Sequence, residues 1–147
     1  MPTDAVIKAS RLVIDASVAV KWFSEEKETP VVHKLFHRIY RAQVGAYAPD
    51  LLVYEVGNAL FKGKNFDQER VMVSLNDLLD SGIEFTRMDR TLIKAAIAFM
   101  ADYNLTFYDA AYLGLGHIFK VPVLTADLKY YRRVKEVNVI DLRTLKS

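Results

Sequence analysis

The sequence predicts a three-layer α/β/α fold around a central parallel sheet of about four to five strands, and three observations carry that prediction. Short β-branched runs, beginning with Leu12-Val13-Ile14, show no polar alternation, as strands covered on both faces do. Segments of helical apolar spacing separate these runs and are long enough to cross back over a sheet. The resulting order, β-α-α-β-α-α-β-α-α-β-α-β, contains no repeats, linkers or low-complexity tracts, and such alternation builds a parallel sheet by right-handed crossovers.

Arg11 to Asp15 reads as the first strand and Ser17 to Phe23 as a short helix that Asp15 or Ser17 can cap. After a charged loop from Ser24 to Thr29, Pro30 opens a second helix. Its apolar face carries Val31, Val32, Leu35, Phe36, Ile39 and Tyr40, and its polar face His33, Lys34, His37, Arg38 and Arg41. Gly45 to Ala48 is the second strand, stopped by Pro49, and Asp50 is placed to cap a helix from Leu51 to Phe61. Gly63 and Asn65 break that helix. Asp67 to Ser81 has helical spacing and ends at Gly82, and Ile83 to Thr86 forms the third strand. Asp89 precedes a long helix that Asn104 ends, and Thr106 to Asp109 has the spacing of a capping box opening a buried helix through Ile118. Val121 to Thr125 is the fourth strand, Leu128 to Val134 a short basic helix, and Val137 to Ile140 the last strand.

At 147 residues, 52% apolar and 26% charged, the chain fits one globular domain spanning 1–147, with residues 1–10 as an N-terminal tail. The absence of cysteine excludes disulfides, thiolate metal sites and cysteine nucleophiles, and suits a reducing compartment. No apolar run approaches the roughly 18 residues of a membrane span and no signal-like segment precedes Ser10, so the expectation is a cytoplasmic protein without a membrane partner. The net charge of +2 does not by itself call for nucleic acid.

Four acids occupy special places. Asp15 ends the first strand, Asp127 follows the fourth, Asp109 lies in the first turn of a buried helix, and Glu55 sits within an otherwise apolar helix. Three of them have an ordinary reading as caps. Glu55 does not, although Asn58 shares its face one turn on. Strands one and four can be neighbours at the topological switch of a parallel sheet, where ligand sites collect, and helices begin where strands end. Converging carboxylates repel and are costly to bury unless a cation joins them. An oxygen-only set without cysteine or nearby histidine suits Mg²⁺ or Mn²⁺ better than zinc.

Several stretches together resemble the PIN domains, and more closely the VapC-type toxin ribonucleases of type II toxin-antitoxin systems. Val13-Ile14-Asp15-Ala16-Ser17 resembles the opening D-x-S segment, and Tyr54-Glu55-Val56-Gly57-Asn58-Ala59-Leu60 the E-x-x-N-x-L helix. Tyr108-Asp109-Ala110-Ala111-Tyr112-Leu113 matches Y-D-A-x-Y-L, and Leu124-Thr125-Ala126-Asp127 matches L-T-A-D. The resemblance covers the chain in the right order. It implies a Mg²⁺- or Mn²⁺-dependent endoribonuclease toxin that acts on RNA as a homodimer and is inhibited by a cognate antitoxin protein. It also implies catalytic and metal-holding roles for Asp15, Glu55, Asp109 and Asp127, with Ser17, Asn58 and Thr125 as polar supports.

Lys129, Arg132, Arg133 and Lys135, interleaved with Tyr130 and Tyr131, offer phosphate contacts and stacking faces for RNA; the plainer alternative is a solvated basic helix. Lys21, Lys62 and Lys64 are weaker candidates. His33 and His37 have metal-binding i, i+4 spacing but no evident third ligand. The competing functions are a PIN nuclease for RNA processing or DNA cleavage, a silent scaffold, and a receiver-like Mg²⁺-binding regulatory module. That last reading leaves Glu55 and Asp109 without a role.

Overall fold

The computed structural model describes residues 9–145, so most of the expected N-terminal tail lies outside the described residues. Five strands, β1 (Arg11–Ile14), β2 (Gly45–Pro49), β3 (Glu84–Thr86), β4 (Val123–Thr125) and β5 (Val139–Asp141), pair in parallel throughout, in the order β3-β2-β1-β4-β5. Leu12, Val13 and Ile14 are completely buried, as their lack of polar alternation requires. The order reverses between β1 and β4. There the Val13 amide donates to the Pro122 carbonyl at 2.8 Å and the Asp15 amide to the Leu124 carbonyl at 3.0 Å, which fixes the chain just after each strand in one crevice.

Six helices are described: α1 (Ala16–Phe23), α2 (Thr29–Tyr40), α3 (Leu51–Asn58), α4 (Gln68–Leu79), α5 (Arg90–Tyr103) and α6 (Phe107–Phe119). The connections from β1 to β2 and from β2 to β3 run in one direction along the sheet, and the connection from β3 to β4 runs back, so right-handed crossovers place α1–α4 and α5–α6 on opposite faces. On one side α1 packs against α2, α3 and β4, with the Trp22 ring 4.5 Å from that of Phe36. On the other, α6 lies across β1, β2 and β4 and is buried without a break from Ala110 to Gly116, with α5 packed against it. None of the described helices is long and apolar enough to cross a membrane.

The capping signals divide cleanly. Asp67, Asp89 and Thr106 accept from the backbone amides of Arg70, Leu92 and Asp109, as their positions predict. Asn104 and Gly82 take positive φ, as helix-ending residues do. Asp15 and Asp50 make no side-chain cap: Asp15 is turned inward, and Asp50 already has helical φ and ψ. The α3 helix does not stop at Phe61 but widens into a π-helical turn, Ala59–Gly63.

The expected basic helix from Leu128 to Val134 is absent; only a 3-10 turn, Leu128–Tyr130, forms. A short run with Lys129, Arg132 and Arg133 exposed has no apolar stripe to pack, and short helices are marginal without one. Tyr131 then leaves the turn for the core, where it is 2% exposed. Strand four begins at Val123 rather than Val121, because Pro122 lacks the amide a ladder needs. The last strand is shifted by one to two residues, to Val139–Asp141.

Where α6 crosses β4, a Cβ on Gly116 would stand 2.8 Å from Val123 Cγ2 and 3.1 Å from the Val121 carbonyl oxygen. Gly116→Ala is therefore expected to cost about 1–3 kcal/mol through overpacking and to lower Tm by several degrees. Gly63→Ala, with nothing within 4 Å of its Cβ, should be close to neutral. Thermal unfolding followed by circular dichroism compares the two.

Candidate active site

Asp15 lies where β1 gives way to α1, only 6% exposed, and hydroxyl groups hold its carboxylate. Ser17 Oγ donates to Asp15 Oδ2 at 2.7 Å and Thr125 Oγ1 donates to the same oxygen at 2.8 Å. The two hydroxyls are fixed in turn, since the Ala126 amide donates to Ser17 Oγ at 2.9 Å and the Asp127 amide to Thr125 Oγ1 at 3.0 Å. The ends of β1 and β4 are thus joined through one carboxylate oxygen. Burial pushes the Asp15 carboxyl up from its ordinary 3.8 to about 6; the Ser17 and Thr125 hydroxyls oppose this, and the nearby charges of Glu55 and Asp109 add to it.

Glu55, on α3, is half-buried and accepts from the hydroxyl of Tyr112 on α6 at 2.6 Å. Burial raises its carboxyl, Tyr112 pulls it back, and Asp109 raises it further. Asp109, in the first turn of α6, accepts from the Tyr131 hydroxyl at 3.3 Å. Both tyrosine hydroxyls are pushed far above the ordinary phenol range, first by burial and then by the acids around them. Three carboxylates from three elements therefore share one crevice and feel one another's charge, and among the described residues no lysine, arginine or histidine pairs with any of them.

This arrangement has counterparts among known proteins. The sequence matches the PIN domain family over residues 12–137. The chain belongs to the PIN domain family. PIN domains are in general nucleases, and so hydrolases. No curated protein matches the sequence. Among solved structures, a toxin-antitoxin complex from Klebsiella pneumoniae superposes with a TM-score of 0.65 at 14% identity, over 89% of this chain and 97% of that one. A protein from Pyrobaculum aerophilum superposes with a TM-score of 0.63 at 20% identity, over 91% of this chain and 92% of that one.

As the side chains of this PIN domain stand, no three His, Asp or Glu groups among the described residues are close enough to hold an ion directly. The charge coupling among Asp15, Glu55 and Asp109 reaches further than a coordination bond of about 2 Å. The two findings fit a cation held as Mg²⁺ usually is, by one or two carboxylates with water completing the shell. The donor set agrees, since it is oxygen only, and like charges left without a counter-charge call for a cation. His33 and His37 line a groove with Asp77 and Asp80, but no ion-holding cluster forms there either.

The remaining expected site residues lie at the margin. Asp127 is exposed at the head of the turn after β4, tied to the cluster only through its backbone amide. Asn58 is exposed, and no described hydrogen bond links it to the acids. Lys129, Tyr130, Arg132 and Arg133 are exposed beside the turn, with the Lys129 ammonium 5.1 Å from the Tyr130 ring centre and an Arg133 nitrogen reaching the Tyr103 carbonyl at 3.4 Å. Tyr131 is no stacking face, because its ring is in the core. Sequence reasoning missed both site tyrosines. Tyr112 carried a signal, since a tyrosine in a buried helix needs an acceptor and Glu55 lacked a partner; Tyr131 carried none.

A raised carboxyl pKa means that the folded chain keeps a proton that the unfolded chain has already released. The resulting cost to stability is absent below pH 3.8, grows as pH rises to about 6 and is complete above it. A shift of about two units corresponds to about 3 kcal/mol. Asp15→Asn should therefore stabilise the metal-free protein by up to about 3 kcal/mol above about pH 7, with the gain vanishing below about pH 4. Urea unfolding in chelator across that range measures it, and a gap independent of pH contradicts the burial of a charged Asp15.

Proposed function

We propose that this PIN domain is a Mg²⁺- or Mn²⁺-dependent endoribonuclease that hydrolyses RNA phosphodiester bonds and acts as the toxin of a toxin-antitoxin pair in the cytoplasm. The observation that carries the reading is the convergence of Asp15, Glu55 and Asp109, without a cationic partner, at the carboxyl ends of β1 and β4. A bound divalent cation would supply Lewis acidity, acidifying a water and offsetting charge on the phosphoryl oxygens. Asp15 and Asp109 are the residues to hold it. Each has one oxygen engaged by a hydroxyl and the other without a described protein donor.

Glu55 is half-buried and joins them through its free oxygen, on the cation or on a water bound to it; burial raises its carboxyl above the ordinary value, so it also takes up a proton more readily than a free carboxylate. Asp127, exposed at the rim, acts on the outer water shell or orients substrate. Lys129, Arg132 and Arg133 receive the RNA backbone and Tyr130 offers a ring for a base, sequence-tolerant contacts with a strong dependence on salt. The toxin role rests on the fold shared with the toxin-antitoxin complex, and an antitoxin protein is the partner it entails. A homodimer is supported by Tyr54, Phe61, Met72, Val73 and Leu79, all more than half exposed along α3, its π-helical turn and α4.

Cleavage of a defined single-stranded RNA with Mn²⁺ tests the reading. Asp15→Asn and Asp109→Asn should each lower the rate by at least about a hundredfold while the fold persists, and Asp127→Asn by less. Undiminished cleavage by Asp15→Asn refutes the assignment, and cleavage of DNA but not RNA moves the activity to a DNA nuclease. Joint replacement of Lys129 and Arg132 by alanine should raise KM, flatten the salt dependence by about two counterions and leave Mn²⁺ affinity intact.

A further inference from the structure

Each acid of the cluster is held by hydroxyl groups and by nothing else that is polar among the described side chains. Asp15 takes Ser17 and Thr125, Glu55 takes Tyr112, and Asp109 takes Tyr131. In every case one carboxylate oxygen receives the bonds, Oδ2 of Asp15, Oε1 of Glu55 and Oδ1 of Asp109. The links cross between elements. Tyr112, one turn along α6 from Asp109, reaches α3, and Tyr131 reaches back to α6 from beyond β4.

From this pattern, and resting on the metal-dependent reading above, we infer that Tyr112 and Tyr131 are positioning residues that aim the free oxygens of Glu55 and Asp109 at the cation. The chemistry favours a phenol in this place. A lysine or arginine would neutralise the carboxylate and compete with the cation, whereas a hydroxyl fixes one oxygen and leaves the charge intact. A phenol on a buried ring is also rigid: Tyr112 is fully buried and Tyr131 is 2% exposed, so each donor stays where the core puts it. Glu55 gains most, because its long side chain is half-buried and Tyr112 makes the shorter of the two phenol contacts, 2.6 Å against 3.3 Å.

Calorimetric titration with Mn²⁺ alone, without RNA, tests this on the full chain. Tyr112→Phe keeps the ring and removes only the oxygen; it should weaken Mn²⁺ binding by about tenfold to a hundredfold, and Tyr131→Phe by less. Tyr40→Phe, an exposed tyrosine elsewhere, should bind as the wild type does. The Mn²⁺ electron paramagnetic resonance spectrum should also change in Tyr112→Phe, which a purely structural role would not cause in a variant that unfolds at the wild-type temperature. Wild-type affinity in folded Tyr112→Phe and Tyr131→Phe overturns the inference while leaving the nuclease reading intact. Failure of the wild type to bind Mn²⁺ or Mg²⁺ overturns the metal-dependent reading, and the inference with it. Should a variant not fold, fluorotyrosine-labelled wild type gives the answer: Mg²⁺ should shift the two buried tyrosine resonances and not that of Tyr40, and unmoved buried resonances count against the role.

Discussion

The structure depends on a carboxylate buried at the end of its central strand. Asp15 terminates the central strand of the sheet, and burial there penalises its ionised form more than two hydroxyl donors recover. A fold does not place an aspartate in that position for stability, since an apolar or amide side chain would cost less. Around it the chain brings two more carboxylates, whose charges make ionisation of Asp15 harder, and that of Asp109 does the same to Glu55. The net effect is a group of acids that no basic side chain among the described residues neutralises.

The topology makes this convergence unavoidable once the elements are set. Because β1 and β4 are adjacent and parallel, the first residue after β1 and the last of β4 meet, and Thr125 reaches Asp15 across 110 positions of sequence. The helices α3 and α6 start near the same end of the sheet from opposite faces, so an acid in the second turn of α3 and another in the first turn of α6 look toward the same gap. Burial of α6 from Ala110 to Gly116 is what makes the placement rigid. With Gly116 pressed against β4, the helix has no room to slide, and Asp109 and Tyr112 are carried in fixed register with it.

Much of this was legible because its causes are local. An apolar run ending on an acid, a threonine three residues before Asp109 and an acid inside an apolar helix are all written in a few consecutive residues. Fold class, strand adjacency and the three central acids follow from such patterns. What escaped depends on competition between distant parts. Asp15 could serve equally as a cap, and it is the hydroxyls of Ser17 and of the distant Thr125 that hold its side chain inward. Tyr131 stands between an exposed tyrosine and an arginine, so nothing nearby distinguishes a core ring from a surface one, and its burial is also what ends the expected helix after one turn. Asn58 shares a helical face with Glu55, yet the face turns enough in one turn to put it in solvent.

The basic side chains near the cluster are engaged elsewhere or lie at its rim. A flexible ammonium free to swing into the crevice would pair with the acids, satisfy them and silence the site. Lys21 lies one helical turn after Ser17 on α1, on the same face of that helix. It is instead bound to Glu26 at 3.0 Å and lies 4.0 Å from Glu28, while Lys64, beyond the π-helical turn, is 3.4 Å from the same Glu26. Glu26 is in turn held well below the ordinary carboxylate range, first by the Ser24 hydroxyl and then by Lys21, so it stays charged under all ordinary conditions. One carboxylate outside the site thus engages two ammonium groups. The remaining basic side chains near β4 sit on the exposed turn, where they can meet a polyanion without reaching the acids. Acids lie within and cations at the rim, a separation that leaves the cluster unpaired and that, on the proposed nuclease reading, would draw in a phosphate backbone.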